Sequence, residues 1–363
     1  MTTATLLDAA RRGDQDAFER LLEPHRRELH AHCYRMLGSL HDAEDAFQDA
    51  QLRAWSGLPR FDGRSSLRTW LYRIATNTSL DVIGKRSDRR VLPLEAGPPS
   101  DPFDGPGEPL VETVWIEPYP DEQLGLEDGY AAPDARYEAR ESVELAFVAA
   151  VQHLPATQRA VLLMREVLGF SAREVAEALE TSVASVNSAL QRARKTVEEK
   201  MPAESQQATL RALGDRKVDE IVSRYMDALG SADVDAVVGM LAEDAAWSMP
   251  PAATWYRGAA LPDFLRVGPL SGAWRWRHLP AHVNGQPAVG VYAWDEGTGT
   301  HLPFALDVLT LRGDRIAEVT AFIVRTTDLP DREAFKRWPE QPLDPHRAEL
   351  VFARAGLPAS VSA

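Results

Sequence analysis

Residues 91–134 read VLPLEAGPPSDPFDGPGEPLVETVWIEPYPDEQLGLEDGYAAPD. Proline or glycine recurs every few positions, so no long helix can run through the stretch: proline lacks an amide donor and clashes with the preceding turn. Its sparse apolar residues cannot by themselves offset the entropy of ordering it. The chain must therefore divide there, and residues 91–136 are expected to be a linker between two folded parts. The linker also concentrates charge. Residues 91–140 hold two cationic against twelve acidic side chains, a net −10 of the chain's −14. Residues 1–90 carry +2, residues 141–200 carry −1 and residues 201–363 carry −5. The overall acidity thus says little against nucleic-acid binding by the flanking parts. The segment is either a solvated spacer or an acidic strap that lies in a positive channel of a partner.

At 363 residues the chain is long enough for two or three domains. No apolar run is long enough to span a bilayer, and the N-terminus lacks a signal-peptide apolar core. A single cysteine, Cys33, leaves no internal disulfide to form. These features fit a cytoplasmic protein.

Residues 4–90 carry helical periodicity, with Phe18, Leu21 and Leu22, then Leu29, Cys33, Met36 and Leu37, on inward faces. Gly38 is expected to end one helix and SLHDAEDAFQDAQLRAW to begin the next. Residues 137–200 are helical again, broken at HLPATQ and GFSAR. There, SAREVAEALETSVASVNSALQRARKTV has the form of a helix-turn-helix. Ser171 and Glu174 have capping-box spacing, and Ser182 is placed to cap the second helix. Val183, Val186, Leu190, Ala193 and Val197 make a buried stripe. The other face offers Ser185, Asn187, Ser188, Gln191, Arg192, Arg194 and Lys195, with Arg173 on the preceding helix. Such side chains pair with base edges in a major groove, or simply solvate an antiparallel helix pair.

The stretch SSLRTWLYRIATNTSLD, residues 65–81, is also expected to be helical. Leu67, Leu71, Ile74, Thr78 and Val82 form its inward stripe. Trp70, Arg73, Asn77 and Asp81 follow on another face, flanked by Arg68 and Tyr72, with Arg64 in the loop before. Trp and Tyr can stack on unpaired bases and Arg can neutralise phosphate. Equally, Trp70 and Tyr72 can be core aromatics. The helix alone leaves both open.

From residue 215 the texture changes. Two helices, RKVDEIVSRYMDAL and VDAVVGMLAE, precede short strand-like runs separated by turn residues, as in a small α+β domain with antiparallel strands. In PFALDVLTL, Asp307 alternates onto the same strand face as Leu309 and Leu311; if that face lines a pocket, Asp307 is a buried carboxylate with a raised pKa, and otherwise it pairs with an Arg or a backbone group. LHAHC lacks a fourth ligand at useful spacing for zinc, no phosphate loop occurs, and HDAEDAFQD lacks the positions of a calcium loop. No metal and no cofactor are expected.

DAEDAFQDAQLRAWSGLPRFDGRSSLRTWLYRIATNTSLDVIGKR resembles region 2 of bacterial extracytoplasmic-function sigma factors. LPATQRAVLLMREVLGFSAREVAEALETSVASVNSALQRAR resembles region 4 of the same family. The order is right, and an acidic linker separates them. RYMDALGSADVDAVVGMLAEDAAWSMPP, WYRG, VNGQPAVGVY and IAEVTAFIV resemble the SnoaL-like group of the NTF2 fold, a curved sheet wrapped by helices around a cone. The implied architecture is multidomain. A region 2 bundle spans 1–90 and the linker 91–136. The region 4 helix-turn-helix spans 137–200, with a connector over 201–214. The SnoaL-like α+β cone spans 215–330, with an extension over 331–363.

The resemblance implies roles. Asp45, Gln48, Asp49 and Arg53 would meet the β′ clamp helices of core RNA polymerase. Arg64, Arg68, Trp70, Tyr72, Arg73, Asn77 and Asp81 would recognise and open the −10 element of promoter DNA. Arg173, Ser185, Asn187, Ser188, Gln191, Arg192, Arg194 and Lys195 would read the −35 element, while region 4 holds the β flap. The cone would be lined by Tyr225, Trp247, Met249, Trp255, Tyr292 and Phe322, with His282, Asn284 and Asp307 as polar groups, and would take a small-molecule ligand. No catalytic residue is expected, and regulation in cis is the implied task. The alternative from the residues alone is a stand-alone, ligand-sensing helix-turn-helix regulator.

Overall fold

A computed structural model describes residues 2–85, 90–95, 97–105, 107, 115–124, 141–327 and 341–362. Linker residues 125–136, the start of the expected region 4 part (137–140), and residues 331–340 of the expected C-terminal extension lie outside them. The chain divides into two compact units. One comprises Met1–Arg89, Gln123–Gly125 and Ala146–Met201, the other Arg90–Glu122, Leu126–Leu145 and Pro202–Ala363.

The first unit is helical. Its N-terminal part holds α1 (Thr3–Arg11), α2 (Gln15–Leu22), α3 (Arg26–Leu37), α4 (Leu40–Gly57) and α5 (Leu67–Gly84). Side-chain caps mark the starts: Asp14 accepts from the Ala17 amide, Ser39 from Asp42 and Ser66 from Thr69. Gly38 ends α3 in the left-handed conformation, φ +69°, where a side chain would be strained. The predicted core residues Phe18, Leu21, Leu22, Leu29, Cys33, Met36 and Leu37 are all buried. His32, beside Cys33, is also core, with its Nε2 2.8 Å from Thr76 Oγ1.

The C-terminal part of this unit holds α6 (Leu145–Gln152), α7 (Ala156–Leu162) running into a π turn (Leu163–Val167), α8 (Ala172–Ala178) and α9 (Val183–Lys200). Ser171 and Glu174 close the expected capping box, and Ser182 caps α9 by accepting from the Ser185 amide at 3.1 Å. The α9 stripe is shifted from the expectation. Val186, Ala189, Leu190 and Ala193 are buried, whereas Val183, in the first turn, is 44 % exposed.

Two buried side chains clasp the halves of this unit. Arg159, 6 % exposed, donates to Met36 O, to Gln152 Oε1, to Gln152 O at 3.1 Å and to Leu154 O at 3.3 Å. Gln152 in turn donates to Arg35 O at 3.2 Å. Arg35 and Met36 lie in the last turn of α3, whose carbonyls have no partner within the helix. The second half of the unit supplies those partners.

The second unit begins its folded core with α10 (Gln206–Leu213), which occupies the expected connector, then α11 (Asp215–Gly230) and α12 (Val234–Met240). The helix expected to run on through Glu243 gives way to strand at Leu241. The six strands are β1 (Leu241–Ser248), β2 (Trp255–Arg257), β3 (Trp276–Val283), β4 (Gln286–Asp295), β5 (Thr300–Arg312) and β6 (Arg315–Ile323), with α13 (Leu261–Val267) between β2 and β3. Their order is β2-β1-β6-β5-β4-β3. All neighbours are antiparallel except β1 and β6, which run parallel because the chain crosses from the first strand to the last. One sheet face packs with α11–α13 over a core that includes Ile221, Trp247, Leu265, Val289, Leu309 and Val319. The other carries the C-terminal segment, in which α14 (Pro345–Val351) leads to Phe352 against Tyr292, ring centroids 5.2 Å apart.

The described part of the acidic linker lies on this domain. Trp255 Nε1 donates to Gly97 O at 3.0 Å, and the Ser100 amide donates to Trp255 O at 2.8 Å. The Gly107 amide donates to Thr254 Oγ1 at 2.7 Å. Further along, Tyr119 and Asn284 exchange two bonds of 2.8 Å, Tyr119 N to Asn284 Oδ1 and Asn284 N to Tyr119 O. The segment too poor in apolar residues to order itself is held by main-chain hydrogen bonds to a preformed surface. Just after it, Glu144 accepts from the amides of Gln206 and Gln207 and so caps α10.

Candidate functional site

The exposed face of α4 carries Asp45, Gln48, Asp49 and Arg53, which recur at three- and four-residue steps and point to solvent. Asp45 lies 3.7 Å from His41, and Arg53 forms a 2.7 Å ion pair with Asp81 of α5. Among them sits Leu52, 65 % exposed, which the sequence reading passed over. An apolar side chain on the acidic face of an amphipathic helix was the available signal.

On α5, the arc that faces the protein is wider than one stripe. Thr69, Trp70, Leu71, Tyr72, Ala75, Thr76, Thr78 and Ser79 are buried, whereas Leu67, Ile74 and Val82 are half-buried. The cause is a second neighbour: α5 packs on α3 and α4 and also on α7 and α8. Trp70, 7 % exposed, packs on Phe61 with ring centroids 5.0 Å apart. Tyr72 is fully buried, donates to Glu28 at 2.9 Å, and meets the Phe170 ring edge-on at 5.4 Å. Both are core aromatics in this conformation, which corrects their expected place on an open base-stacking face. Arg68 is held beside them. Its guanidinium lies 4.6 Å from the Phe170 ring and 5.0 Å from that of Tyr72, and donates to Leu168 O at 3.1 Å. Thr69 Oγ1 donates to Glu174 at 3.3 Å. Arg64, Arg73 and Asp81 stay exposed, Arg64 paired with Asp62, and Asn77 is half-buried.

On α9, Ser185, Asn187, Ser188, Gln191, Arg192, Arg194 and Lys195 are all exposed, as is Arg173 on α8. Arg194 pairs with Glu166 at 2.8 Å, Arg173 with Glu177 at 3.0 Å and Lys195 with Glu199 at 4.0 Å. Ion pairs this exposed hold little energy and exchange readily for phosphate. Val183 adds an exposed apolar side chain at the start of this row.

In the second unit, the concave face of the sheet encloses a cavity of about 290 Å³. Trp247, Met249 and Asp307 line it. Tyr225 stands behind them, buried on α11, and donates its hydroxyl to Asp307 Oδ2 at 2.9 Å. The other expected lining residues lie elsewhere. Trp255 turns its indole to the linker. Asn284 occupies the β3–β4 turn at φ +56° and holds Tyr119 and Val143. His282 points outward on β3. Tyr292 donates to Pro358 O on the opposite sheet face. Phe322 alternates away from Ala321 and Ile323, which do line the cavity. Missed lining residues include Phe264 and Val267 of α13, Trp274 just before β3, Trp276 and His278 of β3, Tyr256 of β2 and Phe304 of β5. Two more, Pro102 and Gly105, come from the linker itself.

Burial pushes the Asp307 carboxyl up to about 7, and the Tyr225 hydroxyl opposes this. The folded domain therefore binds this proton more tightly than the unfolded chain. The stabilisation is complete below the usual value of 3.8 and is lost as pH rises through about 7. Asp307→Asn should remove that loss. In urea unfolding followed from about pH 4 to about pH 8, the variant's midpoint should gain on the wild type steadily. A gain independent of pH would contradict the buried acid. Glu144, also pushed up to about 7 by burial, has the same sign and keeps some slope in the variant.

Three family matches run along the chain in the order of these parts: Sigma-70 region 2 over residues 21–89, Sigma-70 region 4 over 144–197 and a SnoaL-like domain over 222–319. The ECF RNA polymerase sigma factor SigG of Mycobacterium tuberculosis is 44 % identical over 318 residues, covering 87 % of this chain and 83 % of SigG. The ECF sigma factor SigW of Bacillus subtilis is 30 % identical over 193 residues, 53 % of this chain and 92 % of SigW. The crystal structure of the extracytoplasmic-function sigma factor SigJ of Mycobacterium tuberculosis shares the fold at TM-score 0.52 and 23 % identity, covering 86 % of this chain and 97 % of SigJ. The chain belongs to the extracytoplasmic-function family of RNA polymerase sigma factors and carries a C-terminal SnoaL-like domain. As a sigma factor it works with core RNA polymerase and promoter DNA. A stand-alone operator-binding regulator is not favoured, since it gives no account of region 2. Among the described residues no helix is long and apolar enough to cross a membrane.

Proposed function

We propose that the α4 face docks on the β′ clamp helices, that α5 and the loop before it recognise and melt the −10 element, and that α9 reads the −35 element while region 4 holds the β flap. The SnoaL-like domain regulates this activity in cis, in the cytoplasm. The observation that carries the reading is the exposed row on α9, seven hydrogen-bonding or cationic side chains on one face of a capped helix.

The closed first unit supports a regulated step. Arg68 and Tyr72 are engaged by Phe170 and Leu168 of region 4, so region 4 must leave before this part of α5 can meet DNA. Docking on polymerase is the event that separates them. The linker is the covalent route from region 2 to region 4, and its described part is fastened to the SnoaL-like domain. This attachment supports a domain that sets how much linker is free.

Enzymes occur among SnoaL-like folds, but Asp307 favours a regulator here. The phenol that could donate to a substrate oxyanion is already committed to the acid that could serve as base.

Run-off transcription with core polymerase tests the assignments. Asn77→Ala should lower open-complex formation about tenfold while leaving initial binding nearly intact, read by permanganate footprinting of the −10 region. Gln191→Ala and Arg192→Ala should each weaken promoter binding by about 1–3 kcal/mol. Unchanged transcription with all three would remove the assignment of both DNA-reading helices.

A further inference from the structure

The cavity of the SnoaL-like domain has an unusual lining. Six aromatic side chains line it in two runs of three, Trp247, Phe264 and Tyr256, and Trp274, Trp276 and Phe304. Neighbouring ring centroids lie 4.2 Å apart for Tyr256–Phe264, 5.7 Å for Trp247–Phe264, 5.2 Å for Trp276–Phe304 and 5.7 Å for Trp274–Trp276. The wall holds two titratable groups besides the Tyr256 phenol, namely Asp307 and His278. No Lys or Arg is among the lining residues. His278 is kept uncharged by burial, which pulls it down to about 4. Asp307 is 3 % exposed, and its hydrogen-bond partner is Tyr225 behind the wall.

Aromatic faces carry negative potential and attract cations, most strongly where water is excluded. A carboxylate deep in an apolar site repels anions and gives a neutral molecule no more than a hydrogen bond. A cation, by contrast, relieves the cost of ionising the acid. The mouth is apolar too. Val267 on its rim is 49 % exposed, and Phe103, beside the lining residue Pro102, is 71 % exposed.

We propose that this cavity binds a small lipophilic amine, with its ammonium group on Asp307 and its hydrocarbon body against the aromatic wall. The ligand assignment rests on the cavity alone. Its regulatory consequence rests on the reading of this domain as a regulator. Pro102 and Gly105 form part of the wall, so an occupant contacts the linker directly. A ligand that binds better when the strap is in place holds it there by that difference in affinity.

The probes are 1-aminoadamantane, 1-adamantanol and adamantane-1-carboxylate, compact bodies of one shape and three charges. They are titrated into the full-length chain and followed by tryptophan fluorescence and calorimetry. The amine should bind at least tenfold more tightly than the alcohol, and the carboxylate should not bind. Asp307→Asn keeps an acceptor for Tyr225 and should erase the amine's advantage while leaving the alcohol's affinity within about twofold. Trp276→Leu, at the half-exposed rim, should weaken the amine about threefold and the alcohol less. Equal binding of amine and alcohol, an amine preference that survives Asp307→Asn, or no binding of any probe overturns the proposal. Saturating amine should also slow amide exchange at Ser100 and Gly107, whose N–H groups hold the strap. Unchanged exchange with the amine bound overturns the coupling. Transcription with core polymerase reads the sigma assignment separately, so a cavity that binds nothing leaves that assignment standing.

Discussion

Leu52→Ala is expected to weaken capture by core polymerase about thirtyfold, the equivalent of about 2 kcal/mol. Leu52 is 65 % exposed on α4, so nothing in the chain itself depends on its burial. Alanine is the stronger helix former, and thermal stability should not fall. The loss should therefore appear only when the helix meets its partner, where burying a leucine side chain contributes about 1.5–3 kcal/mol. Asp45, Gln48, Asp49 and Arg53 surround it and, on the proposed docking, would supply orientation and rate. Substituting one of them should cost less, and the cost should shrink with salt. Fluorescence anisotropy of the labelled chain with core polymerase checks both statements. If Leu52→Ala binds as tightly as the wild type, α4 is not the docking face.

Arg159→Met is expected to destabilise the first unit by about 3 kcal/mol. Four acceptors converge on this guanidinium, and a buried acceptor left without a donor costs about 1–3 kcal/mol, though neighbouring losses do not add in full. Methionine fills much of the space but donates nothing. The C-terminus of α3 and the α6–α7 turn meet at this side chain, so the damage falls on the contact between region 2 and region 4. Amide exchange in α5 should rise along with the drop in urea midpoint. Binding of single-stranded −10 DNA in the absence of polymerase should also rise, because Arg68 and Tyr72 lose their cover. A variant with wild-type stability would show that the clasp is dispensable.

Local chemistry was legible in the sequence where one residue and its near neighbours decide the outcome. Ser171 with Glu174, Ser182 and Gly38 mark helix ends by hydrogen bonds that span three or four residues. The polar row on α9 is exposed because its opposite side alone meets neighbours. Periodicity assumes one buried side per helix, and that assumption failed on α5. Region 4 covers a second side at Tyr72, whose ring meets Phe170, while Trp70 packs on Phe61 within region 2, and both are core. The pocket split in the same way. Strand alternation put Asp307 on the same face as Leu309. It could not place Tyr292, which follows a register shift after Val291, nor report that the other face is covered by the C-terminal segment.

The sequence by itself determined the caps, the helix-turn-helix and the parity of the acid, because each depends on contacts within a few residues. The tertiary structure alone decided that region 4 shields part of α5, that Tyr225 meets Asp307 across 82 positions, and that the linker walls the cavity. Those contacts join segments remote in the chain. Which remote surfaces meet depends on the packing of the whole unit, to which no short stretch of sequence has access.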